Sequence, residues 1–295
     1  MIPIAAKTEV LIEALPYIRR YEKATFVVKY GGAAMIDADL EQAFAQDVTL
    51  LKKVGINIVI VHGGGKEVTE IADRLGMQTR FIEGQRYTDA GTMEVVQMVL
   101  AGKTNKDIVA EINLHEGDAV GLCGIDARML VVSPRRPGET DLGFVGTIQS
   151  VNTDFIRVLL DQHMMPVIAP VGVDASGQSY NINADVAAAR IAAALHAEKL
   201  VYLSDVEGVL VEGSLVHSIQ QHEAQRMIRD KVITNGMIPK IRSAFEALDS
   251  GVGKVHMIDG RVKHSLLLEI FTDAGVGTEL LHSENGPMIA AAERN

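Results

Sequence analysis

Two apolar runs that each end in a cluster of glycines constrain the fold of this chain more than any other feature. The stretch VVKYGGAAM begins at Val27, and VIVHGGGKE begins at Val59. A short apolar run that stops at a glycine turn and leads into an amphipathic helix is typical of a buried strand in a parallel sheet. The sequence therefore predicts strand, turn and helix units, with both glycine turns at the same edge of one sheet.

The same alternation continues along the chain. The first strand is followed by a helix that Asp37 can cap. The apolar stripe of this helix consists of Leu40, Phe44, Val48 and Leu51. Later strand and helix candidates are MPVIAPVGV, the alanine-rich run after Asp185, KLVYLSDV, residues 237–249, KVHMID and HSLLLEIF. We predict an α/β fold: a three-layer sandwich with a central, mainly parallel sheet covered by helices on both faces.

Composition argues against several classes of protein. The 295 residues are 47% hydrophobic, which allows a large core, and the formal net charge of -10 disfavours general nucleic-acid binding. No apolar segment reaches the length of a membrane span, and the N-terminus lacks the features of a signal peptide. The single cysteine, Cys123, excludes an internal disulfide and a thiolate-rich metal site. We expect a cytoplasmic protein that binds neither nucleic acid nor membranes.

The glycine turns are candidates for anion binding. Gly31 and Gly32, and residues 63–65, lack side chains that would hold a phosphate or carboxylate away from the backbone N–H groups. The alternative is a pair of tight strand-to-helix turns without a ligand. Neither cluster fits the Walker A pattern or the dinucleotide-binding pattern.

Two lysines and one aspartate strengthen the anion hypothesis. Lys29 lies in a run that should be buried, where a lysine is unfavourable unless its ammonium group meets an anion. Lys240 follows Pro239 in the predicted first turn of a helix, where a cation opposes the helix dipole unless a negative group is near. Alternatively, both lysines are surface side chains with packed stems, and Asp185 only caps the next helix.

Eight short stretches, taken in order, resemble the acetylglutamate kinases of the amino acid kinase family. They are KYGG, VHGGG, GQRYTD, NKDIV, YNINAD, LSDVEGVL, NGMIPKI and IDGRV. The resemblance covers nearly the whole chain. It implies ATP-dependent phosphorylation of the side-chain carboxylate of N-acetyl-L-glutamate to N-acetyl-L-glutamyl 5-phosphate, the second step of arginine biosynthesis.

The resemblance also implies roles for individual residues. Lys29 and Lys240 would contact the transferred phosphoryl group, and Asp185 would hold the two ammonium groups in place. The residues implied to hold the acceptor are Gly64, Gly65, Arg86 and Asn181. The residues implied to bind the nucleotide are Gly31, Gly32, Asp205, Gly208, Leu210 and Thr234. Mg²⁺ would arrive with ATP, so no dedicated protein ligands for a metal are expected.

A segment with an apolar stripe at helical spacing precedes the first strand, and Pro16 within this segment should kink the helix. The stripe consists of Val10, Leu11, Ala14, Leu15, Ile18 and Tyr21. Arginine-inhibited members of the family carry a similar helix that interlaces dimers into a hexamer. The resemblance therefore implies a homohexamer, a trimer of dimers, inhibited by L-arginine, with Glu269 and Gly277 as candidate arginine-binding residues. The alternative is that the helix packs on its own domain.

The implied organisation has three parts. Residues 1–23 form the oligomerisation helix, residues 24–176 a lobe that binds the acylated amino acid, and residues 177–295 a lobe that binds the nucleotide. The stretch DASGQSYN marks the predicted boundary between the two lobes.

Two other functions stay open. Lys66, Tyr87 and Asn235 depart from the usual family pattern, so a kinase for another acidic substrate, such as glutamate or aspartate, is one alternative. The other is an arginine-sensing domain that has kept the fold without its catalysis. A sensor has no need for the two lysines and the aspartate together, and VHGGG with YNINAD favours acetylglutamate.

Overall fold

The computed structural model describes residues 4–35, 37–82, 84–134, 140–233, 237–272 and 275–281. Its helices are α1 (Ile4–Tyr21), α2 (Ala38–Lys53), α3 (Gly65–Arg74), α4 (Ala90–Gln97), α5 (Asn105–Leu114), α6 (Asp154–Asp161), α7 (Ala184–Leu195), α8 (Gln221–Arg229), α9 (Met237–Asp249) and α10 (Ser265–Phe271). A π-helix, Met98–Thr104, joins α4 to α5, and short 3-10 helices span Gly32–Met35 and Asp126–Arg128. None of the described helices is long and apolar enough to span a membrane.

The strands are β1 (Thr25–Tyr30), β2 (Asn57–His62), β3 (Phe81–Ile82), β4 (Gln85–Arg86), β5 (Ala119–Cys123), β6 (Leu130–Pro134), β7 (Gly146–Val151), β8 (Met165–Ala169), β9 (Val171–Val173), β10 (Ser179–Asn181), β11 (Lys199–Ser204), β12 (Leu210–Val211), β13 (Ser214–Leu215), β14 (Ser218–Gln220), β15 (Lys254–Asp259) and β16 (Thr278–Leu281). Eight of them form the central sheet in the order β14-β16-β15-β11-β1-β2-β8-β5. Every neighbouring pair in this sheet is parallel except β15 and β16.

Helices cover both faces of the central sheet because successive side chains of each strand point to opposite sides. In β1, Val27 belongs to a core shared with apolar residues of α6, α7 and α9. Phe26, Val28 and Tyr30 belong to a second core shared with α2, α5 and α10. The predicted three-layer α/β sandwich with a mainly parallel sheet is therefore confirmed.

The sequence did not predict a second sheet of four strands, in the order β10-β9-β6-β7. The run MPVIAPVGV was expected to form one strand, but it forms two. The first, β8, belongs to the central sheet, and the second, β9, belongs to the four-stranded sheet. Pro170 separates them because it has no N–H to donate to a strand ladder. Residues 174–178 of DASGQSYN form the turn between the antiparallel strands β9 and β10.

Candidate active site

The two glycine turns lie side by side at the carboxyl edge of the central sheet. β1 and β2 are parallel and in register, with Tyr30 opposite His62. The N–H of Gly63 donates to the Tyr30 carbonyl at 2.8 Å. A cleft of about 560 Å³ opens over both turns, and Lys29 and Gly32 contribute to its lining. Ligands of parallel α/β sheets bind at this edge.

The second glycine turn requires glycine for steric reasons. Gly64 has φ +145°, and a Cβ there would lie 2.4 Å from Leu100 Cδ2 in the π-helix. Within the described residues, the N–H groups of Gly64 and Gly65 donate to no protein acceptor. Gly64 is the N-terminal cap of α3, so these donors lie at the positive end of a helix. The turn can therefore bind an anion.

Lys29 and Asp185 form an ion pair beside the first glycine turn. The Lys29 Nζ lies 3.0 Å from the Asp185 Oδ1, and both side chains are largely buried. A Cβ on Gly31 would lie 2.8 Å from the Lys29 Nζ, so the glycine leaves room for the ammonium group. Lys29 thus lines the cleft from β1, and Asp185 pairs with it from the start of α7.

Lys240 approaches the same pair from α9. Burial lowers the pKa of Lys240, and the positive charge of Lys29 lowers it further, whereas the negative charge of Asp185 opposes both effects. Burial alone would raise the pKa of Asp185, but the charges of Lys29 and Lys240 outweigh burial and lower it. The carboxylate is therefore ionised at neutral pH and couples the two lysines electrostatically.

The alternative that Asp185 only caps a helix is wrong. Asn183 caps α7, and its Oδ1 accepts from the N–H groups of Asp185 at 2.9 Å and Val186 at 3.2 Å. Asparagine and aspartate are both good caps, so sequence alone did not separate them. The Asp185 carboxylate points instead to Lys29.

Arg86 lies across the cleft and is only 8% exposed. Its Nη2 donates to the Gly65 carbonyl at 2.6 Å and to the Thr69 Oγ1 at 2.8 Å. Its Nη1 is buried and has no hydrogen-bond partner among the described residues. A buried guanidinium nitrogen without an acceptor is unfavourable, so Nη1 is a donor suited to an anionic ligand in the cleft.

Asn181 is close to this guanidinium. Its Nδ2 donates to the Thr88 Oγ1 at 3.3 Å, and Asn181 and Arg86 both line a cavity of about 190 Å³ beside Gly64 and Gly65. The structure therefore brings together all four residues expected to hold the acceptor.

Three of the residues expected to bind the nucleotide, Asp205, Gly208 and Leu210, follow the carboxyl end of β11. A Cβ on Gly32 would lie 3.8 Å from the Asp205 side chain, so the first glycine turn adjoins the loop after β11. Gly208 follows in this loop with φ +148°, and Leu210 is 40% exposed. Thr234, like Asn235, lies outside the described residues.

Glu269 lies in a separate buried polar cluster. Its Oε1 is 2.5 Å from the His256 Nδ1, and its Oε2 accepts from the N–H groups of Val276 at 2.7 Å and Gly277 at 3.1 Å. The His256 Nε2 is 3.2 Å from the Nζ of Lys199. Burial alone would raise the pKa of Glu269, but these hydrogen bonds lower it.

Sequence analysis did not identify Lys199 and His256 as members of this cluster. Both residues lie in apolar strands, as Lys29 does. Because a polar residue in a buried run needs a partner, this position in the sequence could have marked them as candidates. Burial lowers the pKa of Lys199 to about 8. Its Nζ lies 5.1 Å from the ring centroid of Tyr21, which joins the cluster to the end of α1.

Comparison with known proteins supports one family. The family model described as the amino acid kinase family matches residues 24–259. The acetylglutamate kinase of Chlorobium chlorochromatii (strain CaD3) is 54% identical over 280 residues, which cover 95% of this chain and 98% of the relative. The match therefore includes almost the full length of both chains.

Two solved structures of N-acetylglutamate synthase from Neisseria gonorrhoeae resemble the fold. The complex with coenzyme A and N-acetyl-glutamate has a TM-score of 0.83 and 29% identity, and covers 94% of this chain and 63% of the synthase chain. The complex with coenzyme A and L-arginine has a TM-score of 0.79 and 27% identity, and covers 92% of this chain and 65% of the synthase chain. This chain therefore spans less than two thirds of the synthase. On the family match and the full-length similarity together, the chain belongs to the amino acid kinase family and, within it, to the acetylglutamate kinases.

Proposed function

We propose that this chain transfers the γ-phosphoryl group of ATP to the side-chain carboxylate of N-acetyl-L-glutamate, the second step of arginine biosynthesis. One observation carries the proposal: a single cleft over the two glycine turns is lined by Lys29, which pairs with Asp185, and by Arg86, whose Nη1 has no hydrogen-bond partner among the described residues. The name of the relative that is 54% identical supports this choice of substrate.

The chemistry needs positioning and charge neutralisation rather than a general base. The attacking carboxylate is already ionised at neutral pH, and the transferred phosphoryl group carries negative charge on its oxygens. Lys29 and Lys240 would stabilise that charge from two sides. The Asp185 carboxylate lies 3.0 Å from the Lys29 ammonium group and would hold it in place. Its negative charge would also offset the repulsion between Lys29 and Lys240.

Recognition of the two substrates divides between the two glycine turns. Arg86, Asn181 and the free N–H groups of Gly64 and Gly65 would bind the acceptor, because guanidinium and backbone N–H groups are good donors to carboxylates. Gly31 and Gly32 would approach the phosphates of ATP. The loop from Asp205 to Leu210, with Thr234, would contact the rest of the nucleotide. The proposed division into two lobes at residues 176 and 177 does not coincide with this assignment, because Gly31 and Gly32 precede the boundary and Asn181 follows it.

Mg²⁺ is proposed to arrive with the nucleotide. No group of three or more His, Cys, Asp or Glu residues among the described residues is placed to hold a metal ion. An ion bound through phosphate oxygens would neutralise part of the charge on the β- and γ-phosphates.

The direct test is acyl phosphate formation, trapped with hydroxylamine. The assay would supply MgATP with N-acetyl-L-glutamate, and in parallel with free glutamate or aspartate. Turnover of N-acetyl-L-glutamate alone is the expected result. Turnover of a different acid would keep the mechanism and overturn the substrate. Absence of turnover together with binding of L-arginine would favour the sensor.

Asp185→Asn is expected to move the alkaline limb of the kcat profile to lower pH. Asp185 raises the pKa of Lys240 against burial, so its loss lowers that pKa and Lys240 loses its proton earlier as pH rises. We expect kcat at neutral pH to fall roughly 10-fold as well. Rates measured between about pH 6 and pH 10 would test this. Asp161→Asn, at an exposed position of α6, is the control; an unmoved limb in Asp185→Asn would contradict the coupling.

We also propose that L-arginine inhibits the reaction by binding at the Glu269 cluster. Glu269 and Glu279 supply negative charge for a guanidinium group, and Tyr21 supplies a ring from α1. The N-acetylglutamate synthase of Neisseria gonorrhoeae, whose fold this chain resembles, was solved in a complex with L-arginine, which supports arginine as the ligand to test. L-Arginine should lower the rate of the natural chain, and Glu269→Gln should weaken that inhibition roughly 10-fold or more. Glu246→Gln, on α9, is the control. Equal inhibition of all three proteins would place the site elsewhere.

The N-terminal helix is proposed to join copies of the chain into a hexamer. Tyr21 is buried, but Ile12 is 64% exposed and Leu15 is 38% exposed, so the middle of α1 presents apolar side chains that the described residues leave uncovered. Changing both residues to aspartate should lower the mass measured by light scattering about threefold, from hexamer to dimer. Glu13→Ala tests the neighbouring exposed position as a control. An unchanged mass in the double variant would refute the interlacing role.

A further inference from the structure

A buried histidine and asparagine lie beneath the second glycine turn, and neither has a part in the proposed chemistry. His62 is the last residue of β2 and is fully buried, and Asn105 is the first residue of α5 and is also fully buried. Their side chains meet, with the Asn105 Nδ2 at 3.2 Å from the His62 Nε2. The other ring nitrogen, Nδ1, lies 2.7 Å from the Gly63 carbonyl.

The surroundings of Asn105 fix which way its amide points. Its Nδ2 is 2.9 Å from the Val167 carbonyl and 3.2 Å from the Leu122 carbonyl, and both of these groups can only accept. Its Oδ1 accepts from the Lys106 Nζ at 3.0 Å. The nitrogen that faces His62 is therefore a donor, and it is anchored to the neighbouring strands β5 and β8.

The amide in turn fixes the state of the imidazole ring. Because the Asn105 Nδ2 can only donate, a hydrogen on Nε2 would face it as a second donor; Nε2 therefore has no hydrogen, and the single proton of a neutral ring is on Nδ1. The Nδ1–H group then donates to the Gly63 carbonyl. A protonated ring would place a second donor against the Asn105 amide. Burial lowers the pKa of His62 to about 4, which agrees with a ring that stays neutral.

The bond to Gly63 has a consequence for the next residue. In a planar trans peptide the carbonyl of one residue and the N–H of the following residue point in opposite directions. His62 holds the Gly63 carbonyl toward the buried ring, so the N–H of Gly64 points away from it, toward the cleft that Gly64 lines. The π-helix restricts the same residue from the side, through Leu100.

We propose that His62, held as its Nδ1–H tautomer by Asn105, is a positioning residue that aims the Gly64 N–H at the carboxylate acceptor. The inference rests on the proposed function for the identity of that acceptor. It assigns a role in acceptor binding to two residues that contact neither substrate. It predicts an effect on the acceptor and little effect on the nucleotide, because among the described residues neither side chain hydrogen-bonds to the first glycine turn.

Two substitutions test the two ring nitrogens of His62 separately. His62→Asn places an amide N–H where Nδ1 was, keeps the bond to Gly63 and loses the contact with Asn105. His62→Gln reaches Asn105 through its oxygen and loses the bond to Gly63. We expect His62→Asn to keep kcat/KM for N-acetyl-L-glutamate within about threefold, and His62→Gln to lower it roughly 10- to 100-fold. KM for MgATP should stay within about twofold in both variants.

The tautomer is measured separately, by ¹⁵N NMR of histidine-labelled full-length chain, with His62→Asn to assign the signal. We expect a protonated Nδ1 and an unprotonated Nε2 at neutral pH, whereas free neutral imidazole favours the other tautomer. A proton on Nε2, or equal losses in the two variants, or a parallel rise in KM for MgATP, would overturn the inference. If the natural chain does not phosphorylate N-acetyl-L-glutamate, the proposed function fails, while the NMR signal still decides the state of the ring.

Discussion

Lys29→Ala and Lys240→Ala are each expected to lower kcat roughly 100- to 1,000-fold while KM for either substrate changes much less. The reason is that both ammonium groups should act most strongly on charge that develops during transfer, not on the bound substrates. The structure supports this for Lys29 through its position, with Nζ held 3.0 Å from Asp185 at the edge of the cleft. Steady-state kinetics in the hydroxylamine assay, with both substrates varied, would measure the effect.

The lysine variants need a control for folding, because each removes one of the two cations next to the buried Asp185 carboxylate. Lys53→Ala, at an exposed position of α2, reports the effect of losing a lysine far from the cleft. Thermal melting of each variant separates a loss of stability from a loss of rate. A large rise in KM with kcat intact would mean that the two lysines bind substrate and do not stabilise the transition state.

Arg86→Met is expected to raise KM for N-acetyl-L-glutamate roughly 10- to 100-fold and to leave KM for MgATP nearly unchanged. Loss of a hydrogen bond to a charged group typically removes about 1.5–3 kcal/mol of binding free energy. The Nη1 of Arg86 is the buried donor without a partner, whereas Nη2 is already bonded to Gly65 and Thr69. Arg86→Lys should also lose affinity, because one ammonium group cannot replace both nitrogens of the fork.

Arg74 provides the matched control for this prediction. It lies at the exposed end of α3, the helix that Arg86 contacts at its start, so Arg74→Met removes a guanidinium from the same element without touching the cleft. Similar changes in the two variants would mean that Arg86 only supports α3. A selective change in kcat would instead move Arg86 into the group that acts on the transferred phosphoryl.

Local patterns explain why much of the fold was predictable. Asp37 caps α2, with its Oδ1 accepting from the N–H groups of Asp39 and Leu40, because the cap depends on residues within three positions of each other. The buried runs of β1 and β2 were predicted because strands inside a parallel sheet are continuously apolar. Pro170 is visible in the sequence as a residue that can interrupt a strand. Its effect, which is to send the chain from the central sheet into the second sheet, was recognised only from the tertiary structure.

The candidate site was predictable only in part, because local patterns do not specify contacts between residues that are distant in the sequence. Lys29 stood out because it lies in an apolar run directly before a glycine turn, and Arg86 and Asn181 were suggested by family resemblance. The pairing of His62 with Asn105 joins residues 43 positions apart, and that of Lys199 with His256 joins residues 57 positions apart. No local pattern specifies such a pair, because either partner alone is only a polar residue in an apolar segment.

The sequence by itself determined the layered α/β architecture, the two glycine turns at one edge of the sheet and the candidate ligand-binding residues. The architecture and the turns follow from hydrophobic periodicity and from the backbone freedom of glycine, which act over a few residues, whereas most of the candidate residues, Arg86 and Asn181 among them, came from family resemblance. Only the tertiary structure decided that Asn183 rather than Asp185 caps α7, that Asp185 meets Lys29, and that Arg86 keeps a buried donor free. Those choices depend on which distant groups are brought within hydrogen-bonding distance, and the packing of helices on the sheet sets that distance.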